Sequence, residues 1–146
     1  MHVEWSPELS VGVEEIDNQH RLLIENINNF FDALEKGEDL QELIHLFRFL
    51  ADYAKSHFSL EESYMVKYYL TGHIYNDEKV HKAEHKAFTR DFSAFQEELE
   101  SANVNQLVIP EFKNWITNWL NMHLLKIDKG LGTYLNEVFP FVRHSK

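Results

Sequence analysis

The chain has 146 residues, of which 24 are acidic and 14 basic, so its formal charge at pH 7 is -10. This charge argues against nucleic acid or an anionic membrane as a partner. Cysteine is absent, which excludes disulfides and thiolate metal sites, so any bound metal must be held by nitrogen and oxygen. The length and the 44% apolar content fit one domain, residues 1–146, with a sizeable core.

The first twenty residues lack the basic start and the apolar run of a signal peptide. The sequence also contains no apolar stretch of membrane-spanning length. We therefore expect a cytoplasmic protein. Residues 1 to about 13 contain Ser-Pro and Val-Gly-Val elements that do not favour a helix, and we predict an arm that packs on the rest of the chain through Trp5.

Apolar residues recur at helical spacing in four later segments, which predicts an all-α fold. We expect an up-down-up-down four-helix bundle with the N-terminal arm and a short C-terminal helix. The predicted segments are Glu14–Leu34 ending at Gly37, Leu40 to the high sixties, a third helix containing residues 81–99, a loop at 101–106, a fourth helix with Pro110 in its first turn, and a short helix from about Leu131 to Phe139.

Seven potential metal ligands lie on these segments at helical spacings. Two pairs have members four residues apart, so each pair projects from one helix face. A four-helix bundle would gather all seven around one interior point. They are His20, His57 with Glu61, His81 with His85, and His123 with Asp128.

The last pair, His123 and Asp128, is five residues apart, which would separate the two side chains on a regular helix. Either a local widening of the helix or its end must bring Asp128 inward. Gly130 and Gly132 lie where such an end is expected.

A single histidine on an apolar face, such as His20 taken alone, is more often a hydrogen-bonded core residue than a ligand. For the whole set we favour a metal, because burying five imidazoles and two carboxylates without partners would cost on the order of several kcal/mol each. Seven ligands exceed what one zinc ion takes, and they suit two octahedral ions bridged by the carboxylates. Iron is the leading candidate and manganese its chemical rival.

The sequence resembles the hemerythrins, and specifically the single-domain bacteriohemerythrins, over nearly the whole chain. The segments that carry this resemblance are Trp5, VGVEEIDNQH at 11–20, HFSLEESYM at 57–65, HKAEHKAF at 81–88 and WLNMHLLKID at 119–128. The resemblance implies two non-heme irons with a bridging oxo or hydroxo group, and an open position on one iron at which the family binds dioxygen. The terminal ligands of one iron would be His81, His85 and His123, those of the other His20 and His57, and the bridges Glu61 and Asp128.

Three function classes remain open. We favour reversible dioxygen binding for storage, delivery or sensing, without catalysis. The alternatives are a di-iron enzyme, such as a peroxidase, oxidase or nitric oxide reductase, and a regulatory module that responds to oxygen or iron. The imidazole-rich ligand set argues against an enzyme, because ferritin-like oxygen-activating sites are carboxylate-rich and use paired Glu-x-x-His motifs. The sequence does not indicate which protein, if any, is its partner.

Glu61 and His81 are twenty residues apart, about five more than the resemblance leads us to expect. The segment VKYYLTGHIYND at 66–77 is therefore predicted to contain an insertion, and His73 within it to be an exposed loop residue. Of the other residues near the ligands, we expect Glu62 to be solvated and Asp17 to be a helix cap or a contact behind the ligands. Trp119 is expected to provide either core packing or a wall of the oxygen pocket.

Overall fold

The computed structural model describes residues 3–68, 72–101 and 108–138. All regular structure in these ranges is helical, and none of these helices is long and apolar enough to cross a membrane. A short 3-10 turn comes first, at Pro7–Leu9. The helices that follow are α1 (Glu14–Lys36), α2 (Leu40–Val66), α3 (Glu78–Glu100), α4 (Val108–Met122), a π-helical segment (His123–Asp128) and α5 (Lys129–Val138).

The turn between α1 and α2 is short and has a clear local cause. Gly37 adopts a left-handed conformation with φ of 73°, which glycine tolerates without steric cost. The N–H of Glu38 then donates to the carbonyl of Ala33 at 3.0 Å, closing the end of α1. Asp39 begins α2 by accepting the N–H of Glu42 at 2.9 Å. The two helices are thereby held as antiparallel neighbours, and the predicted end at Gly37 is confirmed.

Helices α1 to α4 form the predicted four-helix bundle. Along the chain α1 packs on α2, α2 on α3, and α3 on α4. Phe30 and Phe31 of α1 both contact the ring of Phe112, which closes α4 against α1. Phe47 of α2 stacks on Phe92 of α3 with ring centroids 4.2 Å apart. These rings fill one end of the bundle with apolar side chains.

The N-terminal arm is held to α1 through Asp17, which is buried. Its carboxylate accepts hydrogen bonds from the hydroxyl of Ser10 at 2.6 Å and from the N–H of Val11 at 2.8 Å. Nearer the start of the chain, the guanidinium of Arg21 lies 4.1 Å from the centre of the Trp5 ring. Trp5 packs against the core as predicted, and Asp17 fastens the arm at the start of α1.

The short C-terminal helix predicted from about Leu131 is present as α5, which starts at Lys129 and follows the π-helical segment directly. Helix α4 does not end near Gly130 or Gly132 but runs through the π-helical segment into α5. The wide turn of that segment carries one extra residue, so Asp128 is buried while its neighbour Ile127 is half-buried. Of the two alternatives for bringing Asp128 inward, the structure shows the local widening and not a helix end.

Gly132 has a packing role instead of a capping role. A Cβ atom at this position would lie 2.0 Å from the carbonyl oxygen of Val11, so only glycine lets the arm pass this close to α5. In the predicted loop, Ser101 follows α3, and residues 102–106 lie outside the described residues, as does Phe139.

Candidate metal centre

The seven side chains singled out in the sequence meet in the interior of the bundle, and each is at most 2% exposed. Their nitrogen and oxygen atoms form two overlapping groups, and within each group the donor atoms lie within 4.8 Å of one another. The larger group consists of Glu61, His81, His85, His123 and Asp128. The smaller group consists of His20, His57, Glu61 and Asp128.

Four separate helical segments supply these groups, so the site exists only when the bundle is assembled. The π-helical segment contributes its first and last residues, His123 and Asp128. Because the wide turn replaces the usual spacing, the two side chains converge, and Nε2 of His123 lies 3.0 Å from Oδ1 of Asp128. The widening therefore completes the larger group.

The carboxylate of Glu61 lies between the two sets of histidines, and each of its oxygens lies near one set. Its Oε1 is 3.0 Å from Nε2 of His85, on the three-histidine side. Its Oε2 is 3.5 Å from Nε2 of His57 and 3.6 Å from Nε2 of His20. Such a carboxylate can bridge two cations.

Asp128 divides its oxygens in the same manner. Its Oδ1 is 2.9 Å from Nε2 of His81 and 3.0 Å from Nε2 of His123. Its Oδ2 is 3.1 Å from Nε2 of His20. Five neutral imidazoles and two carboxylates are nitrogen and oxygen donors of the kind that hold divalent first-row metals.

Several of these buried donor atoms have no hydrogen-bond partner among the described residues. They include both ring nitrogens of His20 and His123, Oε2 of Glu61 and Oδ2 of Asp128. The contact from His20 to Asp128 is short but is not aligned as a hydrogen bond. Buried polar atoms without partners are costly, and a bound cation would satisfy the ones that point inward. The residues present therefore fit a metal centre.

Two of the histidines are oriented from behind by polar side chains. Nδ1 of His57 lies 2.7 Å from the amide oxygen of Gln19, which can only accept, so this nitrogen carries the proton and Nε2 is free to face the site. Nδ1 of His85 donates to the carboxylate of Glu62 at 2.9 Å. Contacts of this kind fix the tautomer and raise the basicity of a ligating imidazole.

The contact to His85 corrects the expectation that Glu62 is solvated. Its side chain remains 37% exposed, but its carboxylate turns toward α3 instead of toward water. Successive residues of a helix are rotated by about 100°, so Glu62 points in a different direction from Glu61. Oε1 of Glu61 contacts Nε2 of His85, and the carboxylate of Glu62 contacts the outer nitrogen of the same ring, Nδ1.

Aromatic rings cover two of the histidines. Phe58 stacks on His85 with centroids 4.0 Å apart and planes at 14°, and Trp119 stacks on His123 at 4.3 Å and 12°. The packing role of Trp119 beside the site is therefore observed, whereas a role in an oxygen pocket stays a prediction. These rings restrict water and hold the imidazole planes.

In the metal-free site, burial and the neighbouring carboxylates shift the pKa values of three of the histidines in different directions. Burial lowers the pKa of His20 and of His81, but the neighbouring carboxylates of Asp128 and Glu61 outweigh burial and raise each pKa to about 9. Burial lowers the pKa of His57 to about 4. Burial would raise the pKa values of the Glu61 and Asp128 carboxyl groups. The surrounding imidazoles nevertheless hold both pKa values well below the usual range.

Other histidines lie away from the site or outside the described residues. His45 is exposed, and His73 is half-buried, so the prediction of an exposed loop histidine is only partly met. Neither belongs to the two donor groups. His2 and His144 lie outside the described residues. The prediction of an insertion between Glu61 and His81 is untested.

Sequence reasoning missed two residues that contact the histidines from behind, Gln19 and Tyr75. Gln19 stands directly before His20, and its role depends on α2 bringing His57 alongside, which no spacing within α1 reveals. Tyr75 lies in the connection before α3, and its hydroxyl reaches Nδ1 of His81 at 3.2 Å.

The bundle and its donor set define an all-α metal-binding protein. The model of the hemerythrin HHE cation binding domain matches residues 11–135. A bacteriohemerythrin of Pseudomonas aeruginosa (strain LESB58) is 31% identical over 129 residues, which cover 88% of this chain and 78% of that relative. A bacteriohemerythrin of Clostridium acetobutylicum is 27% identical over 134 residues, covering 86% and 95%.

A solved wild-type hemerythrin has the same fold, with a TM-score of 0.77 at 29% identity over 91% of this chain and 97% of that one. The chain belongs to the hemerythrin family.

Proposed function

We propose that this protein binds dioxygen reversibly at a non-heme di-iron centre, for oxygen storage, delivery or sensing. The terminal ligands of one iron would be His81, His85 and His123, and those of the other His20 and His57. The bridging ligands would be Glu61 and Asp128. When bound, the iron pair supplies the electrons that dioxygen takes up and returns.

The observation that carries this proposal is that the two oxygens of each carboxylate, Glu61 and Asp128, lie near different groups of histidines. Each of them places one oxygen near the three-histidine group and the other near the two-histidine group. A site for one cation needs no such division. Because the second group has two imidazoles where the first has three, it has one protein ligand fewer and is the side on which we place the exogenous ligand.

The surrounding residues favour binding over turnover. All seven side chains are at most 2% exposed, so a bulky organic substrate cannot reach them without opening the bundle. Dioxygen is small and apolar and can pass through fluctuations of a packed core. The rings of Phe58 and Trp119, which stack on His85 and His123, keep the surroundings of the three-histidine group apolar. Exclusion of water protects a reactive site from side reactions.

Oxygen consumption separates this proposal from an enzymatic role. The iron-loaded, reduced protein is mixed with dioxygen in several-fold excess over iron pairs, in the presence of excess one-electron reductant, and dissolved oxygen is followed with an electrode. We expect uptake to stop at about one dioxygen per iron pair, the stoichiometry that a single exogenous site allows. Continued consumption over many turnovers, of oxygen or of nitric oxide, would place the protein among di-iron enzymes instead.

A further inference from the structure

Tyr75 connects the segment between α2 and α3 to the metal centre. Its side chain is only 4% exposed, and its hydroxyl oxygen lies 3.2 Å from Nδ1 of His81. The opposite nitrogen of the same ring, Nε2, lies 2.9 Å from Oδ1 of Asp128. The imidazole of His81 is thus contacted at both of its nitrogens.

The backbone around Tyr75 ties this contact to the start of α3. The carbonyl of Tyr75 accepts the N–H of Glu78 at 3.1 Å, and the carbonyl of Asp77 accepts the N–H of His81 at 2.8 Å. The turn that begins the helix therefore also places the phenol beside the histidine. The side chain and the backbone of Tyr75 act on the same turn of α3.

Packing on the other side of the ring keeps Tyr75 in place. It belongs to a buried apolar cluster with Val11, Met65 and Leu131, and its ring centroid lies 5.3 Å from that of Tyr134. The hydroxyl of Tyr134 is also buried but has no hydrogen-bond partner among the described residues. Two neighbouring tyrosines thus share one cluster, and only Tyr75 directs its hydroxyl to a histidine of the site.

The chemistry of imidazole gives this contact a direction. A neutral histidine that offers the Nε2 lone pair to a cation must carry its proton on Nδ1, and that buried N–H needs an acceptor. The hydroxyl oxygen of Tyr75 is such an acceptor. Removing it would leave the N–H buried and unpaired and would let the ring adopt the other tautomer, with the proton on Nε2.

We propose that Tyr75 is a positioning residue of the metal centre, whose hydroxyl accepts the Nδ1–H of His81 and holds Nε2 toward the site. This inference rests on the proposed function, since it takes His81 as a ligand. It makes the α2–α3 connection part of the surroundings of the metal site, because Tyr75 contacts a ligand while none of the described residues of the connection belongs to the two donor groups.

The test compares Tyr75→Phe with the matched variant Tyr134→Phe, using Co²⁺ as the probe and its visible absorption as the readout. Both changes remove one buried hydroxyl from the same cluster and keep the ring. We expect Tyr75→Phe to weaken Co²⁺ binding about 10-fold, as losses of contacts behind metal ligands do, and Tyr134→Phe to leave it unchanged. Equal affinities in the wild type and both variants, or equal losses in both variants, would overturn the positioning role.

A measurement without mutation keeps the inference testable even if Tyr75→Phe folds poorly. Long-range ¹H–¹⁵N spectra of the Zn²⁺-loaded wild-type protein report which nitrogen of His81 carries the proton. Because ligation through Nε2 already requires the proton on Nδ1, the deciding signals are cross-peaks between this Nδ1–H and the ring protons of Tyr75. Their presence supports the proposal, and their absence, or a proton on Nε2, contradicts it. If the wild-type protein binds neither Co²⁺ nor Zn²⁺, the proposed metal centre itself fails; if it binds them and only the comparison of variants fails, the role of Tyr75 alone is lost.

Discussion

The carboxylates of Glu61 and Asp128 lie in matching orientations relative to the histidines on either side of them. Oε1 of Glu61 and Oδ1 of Asp128 are 3.7 and 2.9 Å from Nε2 of His81. Oε2 and Oδ2 are 3.6 and 3.1 Å from Nε2 of His20. Two carboxylates arranged in parallel between two sets of imidazoles can share their charge between two cations.

Replacing either carboxylate should therefore cost more than one ligand. In Glu61→Ala or Asp128→Ala, an anion that both irons share is lost, and we expect iron content to fall from about two per chain to one or fewer. Metal analysis of the purified, iron-reconstituted variants checks this. His73→Ala is the matched control, because His73 lies outside both donor groups and should keep the wild-type content. Retention of both irons in the carboxylate variants would refute the bridging role.

Removing the metal should lower the melting temperature. Without a cation the bundle retains buried nitrogen and oxygen atoms that lack hydrogen-bond partners, and the free energy of metal binding stabilises only the folded chain. We expect the iron-loaded protein to melt on the order of 10 °C above the metal-free protein. Calorimetry of both forms in the same buffer measures the difference. Equal melting temperatures would mean that the cluster is satisfied without metal.

Between pH 7 and 9, rising pH should destabilise the metal-free protein but favour metal binding in the iron-loaded protein. The pKa values of His20 and His81 in the metal-free site are raised to about 9 from the ordinary value of 6.5, so their stabilising contribution is complete below pH 6.5 and is lost as pH rises through 9. A metal needs these imidazoles neutral, so its binding is favoured as pH rises. We expect the gap in melting temperature between the forms to widen by on the order of 5 °C from pH 7 to 9. A gap that narrows would contradict this assignment of charges.

Two glycines of α5 give a test of the packing between the arm and the bundle. In Gly132→Ala the new methyl group meets the backbone of Val11, and we expect a loss of at least about 2 kcal/mol in the free energy of unfolding. Gly130→Ala is the control, because its Cβ would meet only the hydroxyl of Tyr75 at an ordinary 3.8 Å. Alanine favours a helix by up to about 1 kcal/mol over glycine, so this variant should be neutral or more stable. Urea unfolding measures both, and equal stabilities would refute the close approach.

The sequence predicted the bundle and the gathering of the seven side chains, because both follow from periodicity within single helices. His57 and Glu61 share one helix face wherever that helix packs, and the apolar residues that continue the same face direct it to the core. The five-residue spacing of His123 and Asp128 was informative for the same reason, since only a widened turn or a helix end could bring both inward.

Features that depend on contacts between distant segments were not predictable in this way. In the sequence Gly132 favours a helix end, as glycine often does, but in the structure its small size is required by Val11 of the arm. The helical rotation from Glu61 predicts that Glu62 faces solvent, and only the position of α3 shows that His85 contacts its carboxylate. The contact of Tyr75 with His81 likewise depends on how the connection folds back.

Reversible oxygenation is the central claim, and optical spectroscopy tests it most directly. The iron-loaded protein is reduced anaerobically, exposed to dioxygen, and returned to anaerobic conditions by purging, with visible spectra recorded at each stage over several cycles. We predict that a visible absorption band appears on oxygenation, disappears when oxygen is removed and returns in the next cycle with the same amplitude. A spectrum that changes once and cannot be reversed by removing oxygen would contradict the claim.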